Sequence, residues 1–353
     1  MKTIIRIITP VILLISFLIL IMPTIVYGKT INVNNPEESS GYTKIQDAID
    51  NATDGDIIIV YNGKYFENLT INKSITLKGI DRNNTIINSR DKNDAIKITN
   101  TKDVEISNLT ITAGNLTEYK NGSWLKIIVF SGVEIDNVTD SVIKYCNISN
   151  CSAYGISFVN SDNITKNVNI NNNMISNNRL DAIEMRNCEE ITVYKNNISK
   201  NKANGITLLS NNNKIINNTF YANGDIGLYI PPSSKKIEGN IIYQNVFINN
   251  IENAQDTSNG GNFWYNDDLK KGNYWDDYTG NDNNGDKIGD SAYNIPGGDN
   301  KDLYPMMIPY GGEYNYEFVV DQGSVIIMLI FGMFICIIFC IPIGLWWRKK
   351  YFK

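Results

Sequence analysis

The chain has 353 residues, 37 acidic against 32 basic side chains, a net charge of −5 and no histidine. Mild acidity without a basic stripe excludes nucleic acid as the expected partner, and the missing imidazole narrows the choice of metal ligands. Asparagine is over-used, which in an unphased sequence signals low complexity; here its positions keep step with apolar strands.

Residues 1–28 read as a signal peptide. Lys2 and Arg6 precede an apolar run over residues 7–26, broken by Pro10 and Pro23. The run is long enough to span a bilayer, so cleavage and retention as an anchor both stay open. Export of the downstream chain is expected in either case.

The fold begins at residue 29. Ile45, Ala48, Ile49 and Ala52 share one helical face, followed by Asp54-Gly55-Asp56, the strand Ile57-Ile58-Ile59-Val60, the turn Gly63-Lys64-Tyr65 and Ser74-Ile75-Thr76-Leu77-Lys78-Gly79. A stacked fold needs its first edge covered against other chains, and the short helix is the expected cap. The phrase from Ile45 to Gly79 resembles the opening of pectin-lyase-like β-helices, in particular NosD-like and CASH-domain proteins of archaeal cell surfaces.

Residues 132–250 repeat. A small-apolar-x-apolar quartet returns at Gly132-Val133-Glu134-Ile135, Gly155-Ile156-Ser157-Phe158, Ala182-Ile183-Glu184-Met185, Gly205-Ile206-Thr207-Leu208 and Gly227-Leu228-Tyr229-Ile230, at intervals of 23, 27, 23 and 22 residues. A second phrase keeps the beat around Ile148, Ile175, Ile198, Phe220 and Phe247, with Asn or Cys at its ends. Short runs alternating in steps of two are strands, and a fixed period of this size is a solenoid. The expected fold is all-β: a right-handed parallel β-helix over residues 29–256, with PbH1-type coils of about 22–27 residues. Asparagines at the corners are expected to form hydrogen-bonded ladders and to tolerate left-handed backbone.

From Ala95 to the next quartet at Gly132 is 37 residues, so one coil carries an insertion near residues 114–124; such insertions often mark a binding face. It holds the sequons at Asn115 and Asn121, the expected glycosylation sites. The other sequons, at Asn51, Asn68, Asn72, Asn83, Asn108, Asn137, Asn147, Asn150, Asn163, Asn197 and Asn217, are expected to arise by chance, several as buried corner residues. Cys146, Cys151 and Cys188 fit no disulfide framework and read as small core or corner residues, with Cys336 and Cys340 in the C-terminal apolar run.

Residues 257–310 come after the last repeat. Gly272-Asn273-Tyr274-Trp275-Asp276-Asp277-Tyr278 and the stretch to Tyr304-Pro305 closely resemble the tail that closes NosD-like β-helices. Trp264, Tyr274, Trp275, Tyr278 and Tyr304 are expected to cover the last coil. Asp282, Asn284, Asp286, the Ile288 carbonyl and Asp290 keep the ligand order of a calcium loop, with Lys287 and Tyr293 where Gly and Glu would stand. Calcium binding would be weak, on the order of 10⁻⁴–10⁻³ M; the same residues also suit an Asn/Asp/Gly turn without an ion. A linker at residues 311–323 leads to a transmembrane helix at 324–347 and a basic cytoplasmic tail at 348–353, which by the positive-inside bias puts the body outside the cell.

The expected function is that of a membrane-anchored, extracellular, surface-display or adhesin-like rod that contacts polysaccharide or envelope components. An alternative is a carbohydrate-active lyase, hydrolase or epimerase, as the resemblance implies. The outward column Lys97, Glu134, Ser157, Glu184, Thr207 and Tyr229 carries its candidate acids, Glu134 and Glu184. Two coils apart, they would stand about 9.5 Å from each other, near the upper end of inverting separations. A second alternative is copper delivery, taking the NosD resemblance literally; without histidine it would rest on sulfurs such as Met174, Met185 and Cys188.

Overall fold

A computed structural model describes residues 28–310 apart from 35–40, 91–92, 115–116, 122–123, 160–162 and 259. The expected signal peptide (1–28), linker (311–323), transmembrane helix (324–347) and tail (348–353) lie outside the described residues, save Gly28. Among the described residues no helix is long and apolar enough to cross a membrane.

The chain winds through three ranks of short parallel strands. The quartet rank runs from Leu69–Ile71 through Ile156–Phe158, Ile183–Arg186, Ile206–Leu209 and Ile226–Ile230 to Glu252–Asp256. A second rank runs from Thr30–Val33 and Ile57–Val60 to Ile241–Tyr243. The long strand Val133–Lys144 bends from the first into the second, with left-handed residues at Asn137 and Asp140. The third rank is a nine-stranded parallel sheet from Gly63–Tyr65 to Tyr274–Trp275. The expected parallel β-helix is therefore the fold, and its inward Ile, Leu, Val and Phe stack coil on coil into one apolar core.

The insertion forms an antiparallel hairpin, Thr117–Asn121 against Trp124–Ile128. The capping helix α1 (Ile45–Asn51) buries Ile45, Ala48 and Ile49, with Ala52 buried just beyond it. Its ends are satisfied by charged groups of the next coil. Glu67 accepts the Ile45 and Gln46 N–H groups, and the Lys73 ammonium donates to the Ile49, Asp50 and Ala52 carbonyls. Both charges have the sign that the helix dipole favours.

Buried asparagine ladders run along the second half of the rod. In the first, Asn173, Asn196, Asn218, Asn245 and Asn273 stack at steps of 23, 22, 27 and 28 residues. Each Oδ1 accepts both the backbone N–H and the side-chain N–H of the rung before. A parallel ladder climbs Asn178, Asn201, Asn223 and Asn250, and a third Asn213, Asn240 and Asn262. Cys146 and Cys151 stand one coil before the first rungs, where their backbone N–H groups feed Asn173 and Asn178. The corner role divides between neighbours: the exposed or half-buried residue before a rung takes the left-handed backbone (Asn172, Asn177, Lys195, Lys200, Asn217, Ala222, Gln244, Asn249), and the rung itself makes the ladder.

Each rung also donates to a backbone carbonyl of the coil before, but the rung-to-rung bonds all point one way, so each ladder finishes on an acceptor. The first ends on Asp302, 0% exposed, which accepts the Asn273 N–H (2.7 Å), Trp275 Nε1–H (3.0 Å) and Tyr304 N–H (3.0 Å). The third ends on buried Asp256, which also accepts Trp264 Nε1–H and Asn300. The second turns through Asn253 to Asp276 and Asp277. Above the apolar column, Phe220, Phe247, Trp275 and Tyr293 stack face to face at 4.6, 4.5 and 4.3 Å. Trp264 and Trp275 therefore cover the last coil as expected, with Tyr278 edge-on to Tyr293. Tyr304 stands apart, against Tyr265, Asp267 and Lys270.

Candidate functional site

The outward column of the quartet rank is real, residue by residue. Lys97 pairs in register with Glu134, Glu134 with Ser157, Ser157 with Glu184, Glu184 with Thr207, and Thr207 with Tyr229. Alternation along each strand puts these side chains on the face opposite the core.

The two acids are not free on that face. Glu134 is held by the Lys97 ammonium at 2.7 Å, which raises the lysine above its ordinary range. Glu184, only 7% exposed, is held by the Arg186 guanidinium at 2.7 Å and faces the half-buried Tyr154 hydroxyl. Burial, reinforced by the Glu184 charge, pushes the Tyr154 phenol upward.

A second column, which the repeat pattern does not reveal, flanks the first. Asp94, Tyr154 and Asp181 each lie two residues before a quartet apolar position, at the corner that precedes the strand, where Asp94 stands beside Glu134 and Tyr154 and Asp181 stand beside Glu184. Burial pushes Asp94 up to about 6, opposed by the Ser131 N–H that it accepts and reinforced by Glu134. Burial also raises Asp181. Polar residues before the small residue of every quartet but the last, where Ile226 stands, are visible in the sequence, but nothing in the pattern marks them as buried.

The calcium-loop residues come together differently. Asp282 accepts the N–H groups of Gly285, Asp286 and Lys287; Asn284 accepts Asp286 N–H; Asp286 accepts Ile288 N–H. Asp290 accepts Asn283. The oxygens are thus spent on the loop's own amides, and among the described residues no three carboxylates or thiols cluster as a metal site.

Asn115 lies outside the described residues, and Asn121 ends a hairpin strand opposite Trp124. The remaining sequon asparagines are exposed or half-buried, and none is a ladder rung. Buried corner sequons are therefore not found: in Asn197 and Asn217 the sequon residue is the neighbour of the rung, not the rung. Asn72, Asn83, Asn150 and Asn163 are exposed at corners.

Cys146, Cys151 and Cys188 are free thiols and buried, and burial pushes each up to about 12, far from the thiolate that binds copper. Met185 is fully buried in the core.

Three comparisons bear on this geometry. The family profile described as periplasmic copper-binding protein (NosD) matches residues 49–280, more than half of the chain. A cell surface glycoprotein of Methanothermus fervidus is 35% identical over 129 residues, which is 35% of this chain and 18% of that protein, so the chain spans under a fifth of that relative's length. Among solved structures, the tailspike gp49 of Acinetobacter baumannii bacteriophage Fri1, a capsular polysaccharide depolymerase, is 12% identical with a TM-score of 0.43 over 66% of this chain and 46% of that one. Pectin methylesterase PemA from Erwinia chrysanthemi is 15% identical with a TM-score of 0.34, over 67% and 81%. Among the described residues the copper in the family's description finds no fitting donor set, since the sequence has no histidine and the described thiols are buried. With its profile match running from the end of the cap helix through the coils to the start of the aromatic tail, the chain belongs to the NosD family.

Proposed function

We propose that the chain is an exported surface rod that binds envelope carbohydrate along its sides without cleaving it. The observation that carries this reading is the pairing of both candidate acids with cations of their own sheet, Glu134 with Lys97 and Glu184 with Arg186. A carboxylate held in such a pair is a poor proton donor, because the neighbouring cation favours its ionised form. The surface location draws support from the family's periplasmic description and from the relative named a cell surface glycoprotein. Anchoring by residues 324–347 and glycans on Asn115 and Asn121 belong to the same proposal.

Hydrolysis is the second reading, favoured by one observation: Asp94, raised to about 6, stands beside Glu134 and could hold a proton near neutrality. A glycan array probed with the full chain, joined to a reducing-end release assay on each glycan bound, separates the two. Binding without release is expected. Release that disappears in Glu134→Gln or Glu184→Gln would replace the rod by an enzyme.

A further inference from the structure

A second face of the rod differs in sign from the acidic quartet face. A cleft of about 390 Å³ opens at the corner between the third rank and the quartet rank, lined by Gly114, Ser152, Arg179, Lys200 and Lys202 together with the corner asparagines Asn150 and Asn177. Among the described residues no carboxylate lines it, and none of its three cations makes an ion pair.

The backbone register explains how the cations gather. Ser152 N–H bonds the Ala113 carbonyl, Arg179 N–H that of Cys151, and Lys202 N–H that of Asn178. Gly114, Ser152, Arg179 and Lys202 therefore form one column, rising about 4.8 Å per coil. Lys200 stands in the adjacent corner column, above Asn150 and Asn177, all three with left-handed backbone. Stacking like charges on neighbouring strands is unfavourable, so Arg179 over Lys202 costs the rod stability unless an anion lies between them. The hairpin strand of the coil insertion starts at Thr117, three residues after Gly114 of the cleft lining.

We propose that this corner is a binding groove for an anionic polysaccharide, a sugar chain bearing carboxylate or sulfate groups that lies along the rod axis. The cations are exposed, and a single small anion held by them alone would gain little. A polymer that presents one anion per coil gains from each successive contact without new entropy of encounter. The quartet face begins beside Asp181, two residues beyond Arg179, and its carboxylates bound the groove on that side. The inference rests on the proposal that the rod engages carbohydrate, and it assigns the face and the charge of the bound polymer.

The test uses the purified full chain and three polymers: polygalacturonate, dextran sulfate and neutral dextran. At low salt, binding to polygalacturonate or dextran sulfate is expected, weakening as salt rises, with none to dextran; which of the two binds tells carboxylate from sulfate. The double variant Arg179→Ser/Lys202→Ser should lose about tenfold in affinity, since each exposed charged contact removed is worth about a few-fold. Arg179→Lys/Lys202→Arg should restore most of it. Lys195→Ser, an exposed cation at another corner, should change nothing, and no variant should melt below the parent. Equal affinity for dextran, an unaltered double variant, or no anionic polymer bound would overturn the groove. If in that case neutral glycans on the array are still bound, the carbohydrate-binding rod stands and only this assignment falls; a blank array removes both.

Discussion

The two ends of the rod are closed by different physics. At the start, helix α1 lays an apolar face on the first coils, and its polar ends are met by Glu67 and Lys73. At the finish, carboxylates receive the asparagine ladders, two of them on the buried Asp256 and Asp302, and two tryptophans cover the column. The difference arises from the groups that each end must satisfy. The first coils carry no buried asparagine ladder among the described residues, so covering apolar surface is enough. The last coils deliver aligned N–H donors into the cap, and only an acceptor-only group finishes such a row.

That contrast sets the order of expected damage. Removing a terminator should cost most: Asp302→Ala leaves the Asn273, Trp275 and Tyr304 N–H donors unpaired in a dry site, on the order of 3–5 kcal/mol. Urea unfolding with retained helix-cap signals should show the C-terminal end opening first. A loss below about 1 kcal/mol would mean that the ladder needs no terminator. Breaking a ladder midway comes next. Asn218→Ala removes the acceptor of Asn196 and the donor to Asn245, for about 2–4 kcal/mol in thermal unfolding.

The pH dependence should track the raised acids. Asp302 and Asp94 stand at about 6 when folded, against about 3.9 for an ordinary aspartate. Between those values the folded chain holds more protons than the unfolded chain, so their contribution to stability falls as pH rises from about 4 to 6 and is flat above. Melting curves across that window should show the slope, and Asp94→Asn should flatten its share. An upward slope that Asp94→Asn leaves intact would refute the assignment.

The start of the rod should be more forgiving. Glu67→Ala withdraws one long-range helix cap, worth about 1 kcal/mol. The smallest effect belongs to calcium. With Asp282 bonded to three loop amides, limited proteolysis of residues 281–290 should differ little between calcium and chelator. Calcium-dependent protection that disappears in Asp286→Ala would instead establish the ion site.

Much of the coil architecture is legible in the residues. The quartets give the strand register, and the second phrase, read from Cys146 and Asn173 onward, marks two ladders at its two ends. The outward column emerges from alternation alone. Features that depend on sequence-distant partners are not legible. Asp256 and Asp302 have no period, so nothing marks them as terminators before the ladders are seen to point at them. Lys44 is a poor N-cap, and its function passes to Glu67, 22 residues beyond Ile45. The basic corner is hidden in the sequence because Arg179 and Lys202 are 23 residues apart and meet only through the coil register.

The one-way ladder makes the length of this protein an adjustable quantity. Every rung offers the same acceptor to the coil before and the same donor to the coil after, so a rung cannot tell how many others stand between it and either end. Excising residues 196–217 would bring Asn173 against Asn218 and present each with the partner that it already has. Duplication would lengthen the rod by about 4.8 Å per added coil and leave both caps untouched. A lineage, or a designer, can therefore set how far such a rod reaches by copying or deleting whole coils. Selection on the ends and selection on the reach become separate problems.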